Sequence, residues 1–362
     1  MLFSSNDVLV GQRGDYMLGC KYGTHRAIEP RGSLPQPAIR VDNDMKKIYD
    51  NEILIDVETL NIDSASFTQL KEEAGGDKEK IKSKIMEIVD MYGKMKNPVT
   101  GSGGMLLGKV LQIGESLKEK FDLEEGDYIA TLVSLSLTPL KIDKIHSLDL
   151  DVDRVSVSGR AILFESGLYA KIPKDLDPKL SLAAMDVAGA PAQVSKLVKS
   201  GQRVLILGAG GKSGLLCCYE AMKRVGQTGR VIGLDANADN ARRLEELGFC
   251  KKVILEDATN PVKVLNSALE ANDGLEFDIA INCLNVPGCE MSCILPVRDE
   301  GIVYFFSMAT SFTQAALGAE GVGKDVTMIV GNGYTKGHAK ITFDDLRECE
   351  SLRKMFEDLY VE

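Results

Sequence analysis

The chain has 362 residues, 44% apolar and 27% charged, which is ample for two domains of an ordinary globular protein. A formal net charge of −10 and a pI near 5.1 argue against nucleic acid as a partner, which needs a basic face, and no apolar run approaches the roughly 20 residues of a membrane span. The first residues lack a basic segment followed by an apolar core, so no secretory signal is expected; eight cysteines without paired spacing and only three histidines argue against disulfides and a zinc site, and for a cytoplasmic home.

Taken in chain order, residues 22–38 contain several prolines and little periodicity, and so predict a shaped loop carrying His25, Arg26 and Arg31. Residues 52–58 alternate like a half-buried strand, as do 108–113 and 128–132. Residues 71–95 are charged and helical, interrupted at Gly75-Gly76, and are expected to form a surface insertion. Residues 161–166 predict a further strand carrying Glu165.

The stretch from Arg203 to Asp235 is the most telling. Residues 204–207 are an unbroken apolar run, as expected of a parallel strand covered on both faces. Gly208, Gly210, Gly211 and Gly214 follow as a turn with no side chains to keep a pyrophosphate away. Residues 215–225 have helical apolar spacing, so their free N-terminal amides would face phosphate, and Lys212 and Ser213 of the turn before them are further cofactor-binding candidates. Residues 231–234 form the second strand, and Asp235 ends it 21 residues after Gly214. A carboxylate there accepts ribose hydroxyls and repels a 2′-phosphate, favouring NAD over NADP.

Beyond it the spacing predicts a helix over 240–247 and strands over 252–255, 277–282, 301–306 and 325–330, with a helix over 261–271. Together these make a six-stranded, doubly wound parallel α/β sheet of the Rossmann type. Asp257 and Ala258 lie at a strand end near an adenine, and Asn282 at the end of another, both on the expected cofactor side. Residues 344–359 predict a last helix. The expected domains are 1–173, β-rich, and 174–335, dinucleotide-binding, with the tail 336–362 packing back on the first.

The order of these landmarks resembles the medium-chain dehydrogenase/reductase superfamily. The matching segments are 51–57, the G-x-V-x-x-x-G run from Gly108 to Gly114, Gly126-Asp127, 167–173 and 183–189, and the glycines also fit G-x-x-G-x-x-G. The resemblance implies a GroES-like catalytic domain, a Rossmann domain and a homodimer. Residues 22–38 and 184–193 are similar to the L-erythro-3,5-diaminohexanoate dehydrogenase family, which implies NAD-dependent oxidative deamination at C3 to 5-amino-3-oxohexanoate and ammonium, in lysine fermentation. The zinc ligands of related alcohol dehydrogenases are missing: those places read Leu60 to Ser64 and Gly101-Ser102-Gly103-Gly104.

Without a Lewis acid, side chains must handle the amine. The resemblance places Asp63 and Asp186 near the nicotinamide as candidates for base and ammonium acceptor, although Asp63 also suits a helix cap. Arg26 is a candidate clamp for the substrate carboxylate, with Ser102 and Tyr334 as weaker substrate contacts. His338, after Lys336-Gly337, reads better as a surface imidazole than as a proton carrier. The alternatives are a zinc-free quinone or enone reductase, or alcohol dehydrogenase, of the same superfamily, and a non-catalytic NAD sensor.

Overall fold

The computed structural model describes residues 11–13, 16–307, 309–331 and 333–361. The chain divides into two compact units, Met1–Pro178 and Lys179–Glu362. The division falls five residues beyond the expected boundary at 173.

In the first unit, β1 (Gly11–Arg13) pairs with β2 (Tyr16–Leu18), and β3 (Ala27–Glu29) with β4 (Arg40–Val41). Its body is an antiparallel sheet of six strands: β5 (Glu52–Asn61), β6 (Met105–Ile113), β7 (Tyr128–Thr131), β8 (Leu140–Asp149), β9 (Arg154–Phe164) and β10 (Tyr169–Lys171), in the order β10-β7-β6-β5-β9-β8. β5 is central and covered on both faces. Ile53, Ile55 and Val57 enter the main core, while Leu54 joins Met45, Ile162 and Phe164 on the other side.

Between β5 and β6 run α1 (Ser64–Ala74) and α2 (Lys78–Tyr92), each started by an aspartate cap, Asp63 and Asp77, and each closed by a left-handed glycine. The expected surface insertion is corrected here. Ile81, Ile85, Ile88 and Val89 form one buried face of α2, which packs into the main core and against β8. The charges that suggested a surface occupy its other face.

Residues 20–47 have little regular structure and are pinned by two buried cations. Arg26, 1% exposed, meets Glu52 with two bonds of 2.6 and 2.7 Å and donates to the carbonyls of Asp42, Asp44 and Lys47. His25 Nε2 adds a 2.8 Å contact to Glu52 Oε1. Burial alone would push the Glu52 carboxyl up, but the bonds from Arg26 and His25 outweigh it and hold it below its ordinary value. Lys94 donates to the carbonyls of Pro35, Gln36 and Ala38, and burial pushes its ammonium down to about 8.

The second unit opens with α3 (Pro178–Met185), whose first residue ends the unit before it, and α4 (Gly189–Leu197). Strands and helices then alternate: β11 (Arg203–Leu207), α5 (Lys212–Val225), β12 (Arg230–Asp235), α6 (Ala238–Leu247), β13 (Lys252–Leu255), α7 (Pro261–Ala271), β14 (Phe277–Asn282), α8 (Glu290–Ile294), β15 (Val297–Phe305), α9 (Phe312–Val322) and β16 (Val326–Val330). All the strands are parallel, in the order β13-β12-β11-β14-β15-β16. Numbered within the unit this is 3-2-1-4-5-6, the dinucleotide-binding order.

The C-terminal residues form two helices, α10 (His338–Glu348) and α11 (Glu350–Tyr360), where one was expected. They belong to the second unit and not to the first, because α10 packs on α4 and α5 and α11 on α5. A charge cluster seals the contact. Lys223 Nζ lies 2.8 Å from Asp345 Oδ1, 2.7 Å from Glu348 Oε2 and 3.3 Å from Glu220 Oε2. The Asp345 and Glu220 side chains are both fully buried. Burial and the neighbouring Glu220 push the Asp345 carboxyl up to about 7, against the pull of Lys223.

Candidate dinucleotide and acid/base sites

Parallel register brings Leu207, Leu234 and Asn282 to one edge of the second sheet, with Leu255 beside Asp235. Every loop expected to meet a cofactor therefore leaves from the same side. Gly208 has φ 72°, a left-handed backbone that a side chain resists, and the N–H groups of Gly208 and Ala209 both donate to Leu234 O. A Cβ on Gly214 would sit 2.0 Å from Gly208 O, so this glycine lets helix α5 press against the turn. A Cβ on Gly210 would meet Asn240 of α6 at 2.5 Å. Gly211 differs: its Cβ would meet only Gly208 O, at 3.5 Å, so the backbone is open at the N-terminus of α5. The turn thus combines tight internal packing with one open face, the cradle a pyrophosphate needs. Ser213, 8% exposed, lies in the first turn of α5.

Asp235 is 6% exposed. Its Oδ2 accepts from Gly210 N at 3.0 Å, and Oδ1 accepts from Asn237 N at 2.9 Å and Asn240 Nδ2 at 3.3 Å. The carboxylate therefore braces the glycine turn. Sequence reasoning missed Asn237 and Asn240; the available signal was Asn237 as a cap before an amphipathic helix. Asp257 is exposed, and bonds from the Thr259 amide and hydroxyl hold its carboxyl below its ordinary value. Ala258 is buried and its carbonyl accepts from Ser292 Oγ. Asn282, also buried, accepts from Leu284 N and donates to Thr310 Oγ1, which locks the β14 loop.

Asp186 follows α3 and meets the first side chain of α5. Its Oδ2 is 3.1 Å from the Nζ of Lys212, the first residue of α5, and the same ammonium stands 5.1 Å from the centroid of the Tyr360 ring. Its chain neighbours on either side are small, apolar and mostly buried, but Asp186 itself is exposed and has a cation beside it.

In the first unit, Asp63 Oδ1 caps α1 by accepting from Ser66 N at 3.0 Å, while Oδ2 is buried without a hydrogen-bond partner. Ser66 Oγ lies 2.5 Å from Thr100 Oγ1, which accepts from Ser102 N at 3.3 Å. Asn97 ties the cluster, donating to Ser66 O and accepting from Val99 N and Thr100 N. So Asp63 and Ser102, 39 positions apart in the chain, are joined through Ser66 and Thr100. A Cβ on Gly104 would meet Asn61 O at 2.0 Å, which explains a glycine at this closure.

Two expectations change, and the place of Glu165 is filled in. Arg26 is no carboxylate clamp, because all its nitrogens are engaged by Glu52 and by backbone carbonyls inside the first unit. His338 is buried at 4%, not a surface group, and burial pushes its imidazole below its ordinary value. Glu165 is paired, with Lys120 at 2.9 Å and Asn51 Nδ2 at 3.2 Å. Tyr334 stands edge-on to the His338 ring at 5.2 Å and is 37% exposed.

Residues 25–173 match the model of the L-erythro-3,5-diaminohexanoate dehydrogenase N-terminal domain. The chain is 65% identical over 345 residues to an L-erythro-3,5-diaminohexanoate dehydrogenase of Acetoanaerobium sticklandii, covering 95% of this chain and 100% of that one. It is 63% identical over 343 residues to the enzyme of the same name from Fusobacterium nucleatum, covering 95% and 99%. Among solved structures, the CurK enoyl reductase has a TM-score of 0.52 at 15% identity, covering 82% of this chain and 79% of that one. A mycobacterial protein solved with NADPH has a TM-score of 0.55 at 14% identity, covering 88% and 91%. These two likenesses concern the fold alone.

Proposed function

The chain belongs to the L-erythro-3,5-diaminohexanoate dehydrogenase family and is an oxidoreductase acting on that diamino acid; we propose that it oxidises C3 with NAD and releases 5-amino-3-oxohexanoate and ammonium. The observation that carries the cofactor reading is the glycine cradle, open at Gly211 and braced by Asp235. Gly208 to Gly214 would hold the pyrophosphate on the α5 amides, and Asp235 would take a ribose hydroxyl. Asp257, Ala258 and Asn282 would border the rest.

A bound nicotinamide supplies the acceptor for the hydride that leaves C3. The residues must do the remainder. Asp186 takes a proton from the C3 ammonium, since only a free amine can release hydride, and passes that proton to solvent. Ionised again, it takes a proton from the water that attacks the iminium carbon and returns it to nitrogen, which leaves as ammonia and is released as ammonium. Asp63, through its unpartnered Oδ2, accepts from the C5 ammonium. Ser102 and Tyr334 complete the substrate contacts. The reading needs no metal, and among the described residues no three His, Cys, Asp or Glu side chains are grouped to hold one.

A homodimer in a reducing cytoplasm completes the proposal. It is supported by the edge position of β16, by the exposed Leu317, Val322 and Val330 there and on α9, and by eight free cysteines. Among the described residues no helix is long and apolar enough to cross a membrane.

Incubation with the diamino acid and NAD, in the presence of a chelator, should produce NADH and ammonium in equal amounts. In the Asp186→Asn variant, turnover should fall by about 10²–10⁴-fold. Formation of NADH without ammonium, or loss of turnover on chelation, would overturn the chemistry.

A further inference from the structure

Lys212 and Asp186 were expected in different roles, one with the cofactor and one with the amine, yet they touch. Lys212 is the first residue of α5 and follows Gly211, where the backbone is open. Its ammonium lies 3.1 Å from Asp186 Oδ2 and over the Tyr360 ring. The two side chains are 28% and 34% exposed, so neither is locked by packing. A carboxylate whose electron pair is held by an ammonium is a poor base. A carboxylate paired with the first side chain of α5 also competes with any phosphate for that ammonium.

We infer that Lys212 is a shared counter-ion that gates the base: it rests on Asp186 in the free enzyme and passes to the cofactor pyrophosphate on binding, which frees the Asp186 carboxylate. The inference rests on the reading of Asp186 as the base. A pyrophosphate carries two negative charges against one on the carboxylate, and it is also held by the α5 amides, so the exchange favours the phosphate. The ion pair it breaks is an exposed one, worth up to about a fivefold factor. The amine therefore meets an active base only when the dinucleotide is in place, and binding is ordered with the cofactor first. Tyr360, near the end of α11, is a positioning residue that supports the resting place of the ammonium.

The test uses the full chain and ADP-ribose, which has the pyrophosphate but no nicotinamide, titrated by calorimetry. If Lys212 is shared, Asp186→Asn binds ADP-ribose about fivefold more tightly than the wild type, because the competitor is gone. Lys212→Met binds it about tenfold more weakly, and in the double variant the Asp186→Asn gain disappears. Unchanged or weaker binding by Asp186→Asn, or a gain that survives in the double variant, overturns the inference. Turnover separates this from the base itself. Tighter ADP-ribose binding with near-wild-type turnover in Asp186→Asn would keep the shared cation and remove Asp186 from catalysis, so the gating step would be lost. Unchanged binding with collapsed turnover would keep the base and remove the gate.

Discussion

Replacing Asp235 by Asn removes one charge and changes almost no volume, so its consequences can be worked from the bonds already described. A carboxylate offers about four acceptor sites. Three are used, by Gly210 N, Asn237 N and Asn240 Nδ2, which leaves one on Oδ2 for a ribose hydroxyl. Losing a hydrogen bond to a charged acceptor costs about 1.5–3 kcal/mol, so NAD binding should weaken by about 10- to 150-fold. The amide also turns two donor hydrogens toward the turn. Whichever way it sits, one of the N–H groups of Gly210 and Asn237 faces another donor, at a cost on the order of 1–3 kcal/mol. Affinity and melting temperature should therefore fall together, and NADP should lose less affinity than NAD, because the charge that repels its 2′-phosphate is gone. Calorimetric titration with both dinucleotides, alongside thermal unfolding, measures all three. A variant that binds NAD within about twofold of the wild type, or a wild type that uses NADP as readily as NAD, would refute the role given to Asp235.

Arg26→Ala should destabilise the first unit by about 3–5 kcal/mol in urea unfolding, because it leaves the Glu52 carboxylate buried without its bidentate partner; in Arg26→Lys, the folded fraction should keep the KM of the wild type for the diamino acid, since Arg26 does not meet substrate. Asp345 makes stability depend on pH. Its carboxyl ionises near 3.8 when unfolded and is pushed up to about 7 when folded, so between these values the folded chain holds the extra proton. Stability should fall as pH rises through that window and level off above it, by on the order of 3–4 kcal/mol in all. Unfolding measured at about pH 5 and about pH 8 should show roughly 60% of this loss, and Asp345→Asn should flatten it.

The dinucleotide unit was legible because its signals are local. An apolar run, a glycine turn and an acid at the next strand end all fall within Arg203 to Asp235, and short parallel connections leave few ways to arrange them. The boundaries of β13, α7 and β14 follow from the same local patterns. The first unit was harder to read. The isoleucine stripe of α2 is spaced for a buried face, but seven charged side chains in the same 15 residues disguised it. Arg26 shows why substrate contacts are harder to read from sequence than the glycine turn. A sequence does not say whether a lone arginine finds its carboxylate in a ligand or 26 residues away in Glu52. His338 failed similarly, since α10 turns toward α4 through contacts that no local pattern encodes. The Asp186–Lys212 pair joins two segments separated by a whole strand, so only folding could bring them together.

The grip of Arg26 and Lys94 on residues 35–47 has a bearing on how this segment can diverge. Both cations read carbonyl oxygens, which every amino acid supplies, and the protein treats the loop much as a chelate treats a metal ion with the charges reversed. Much of the path of the chain is encoded at these two anchors, with the buried side chains of Ala38, Val41 and Met45 as its apolar fixings. Such a loop can change its outward-facing residues freely, at Gln36 or Lys46 for instance, while keeping its course. The same economy concentrates vulnerability: an exchange at either anchor removes three carbonyl contacts at once.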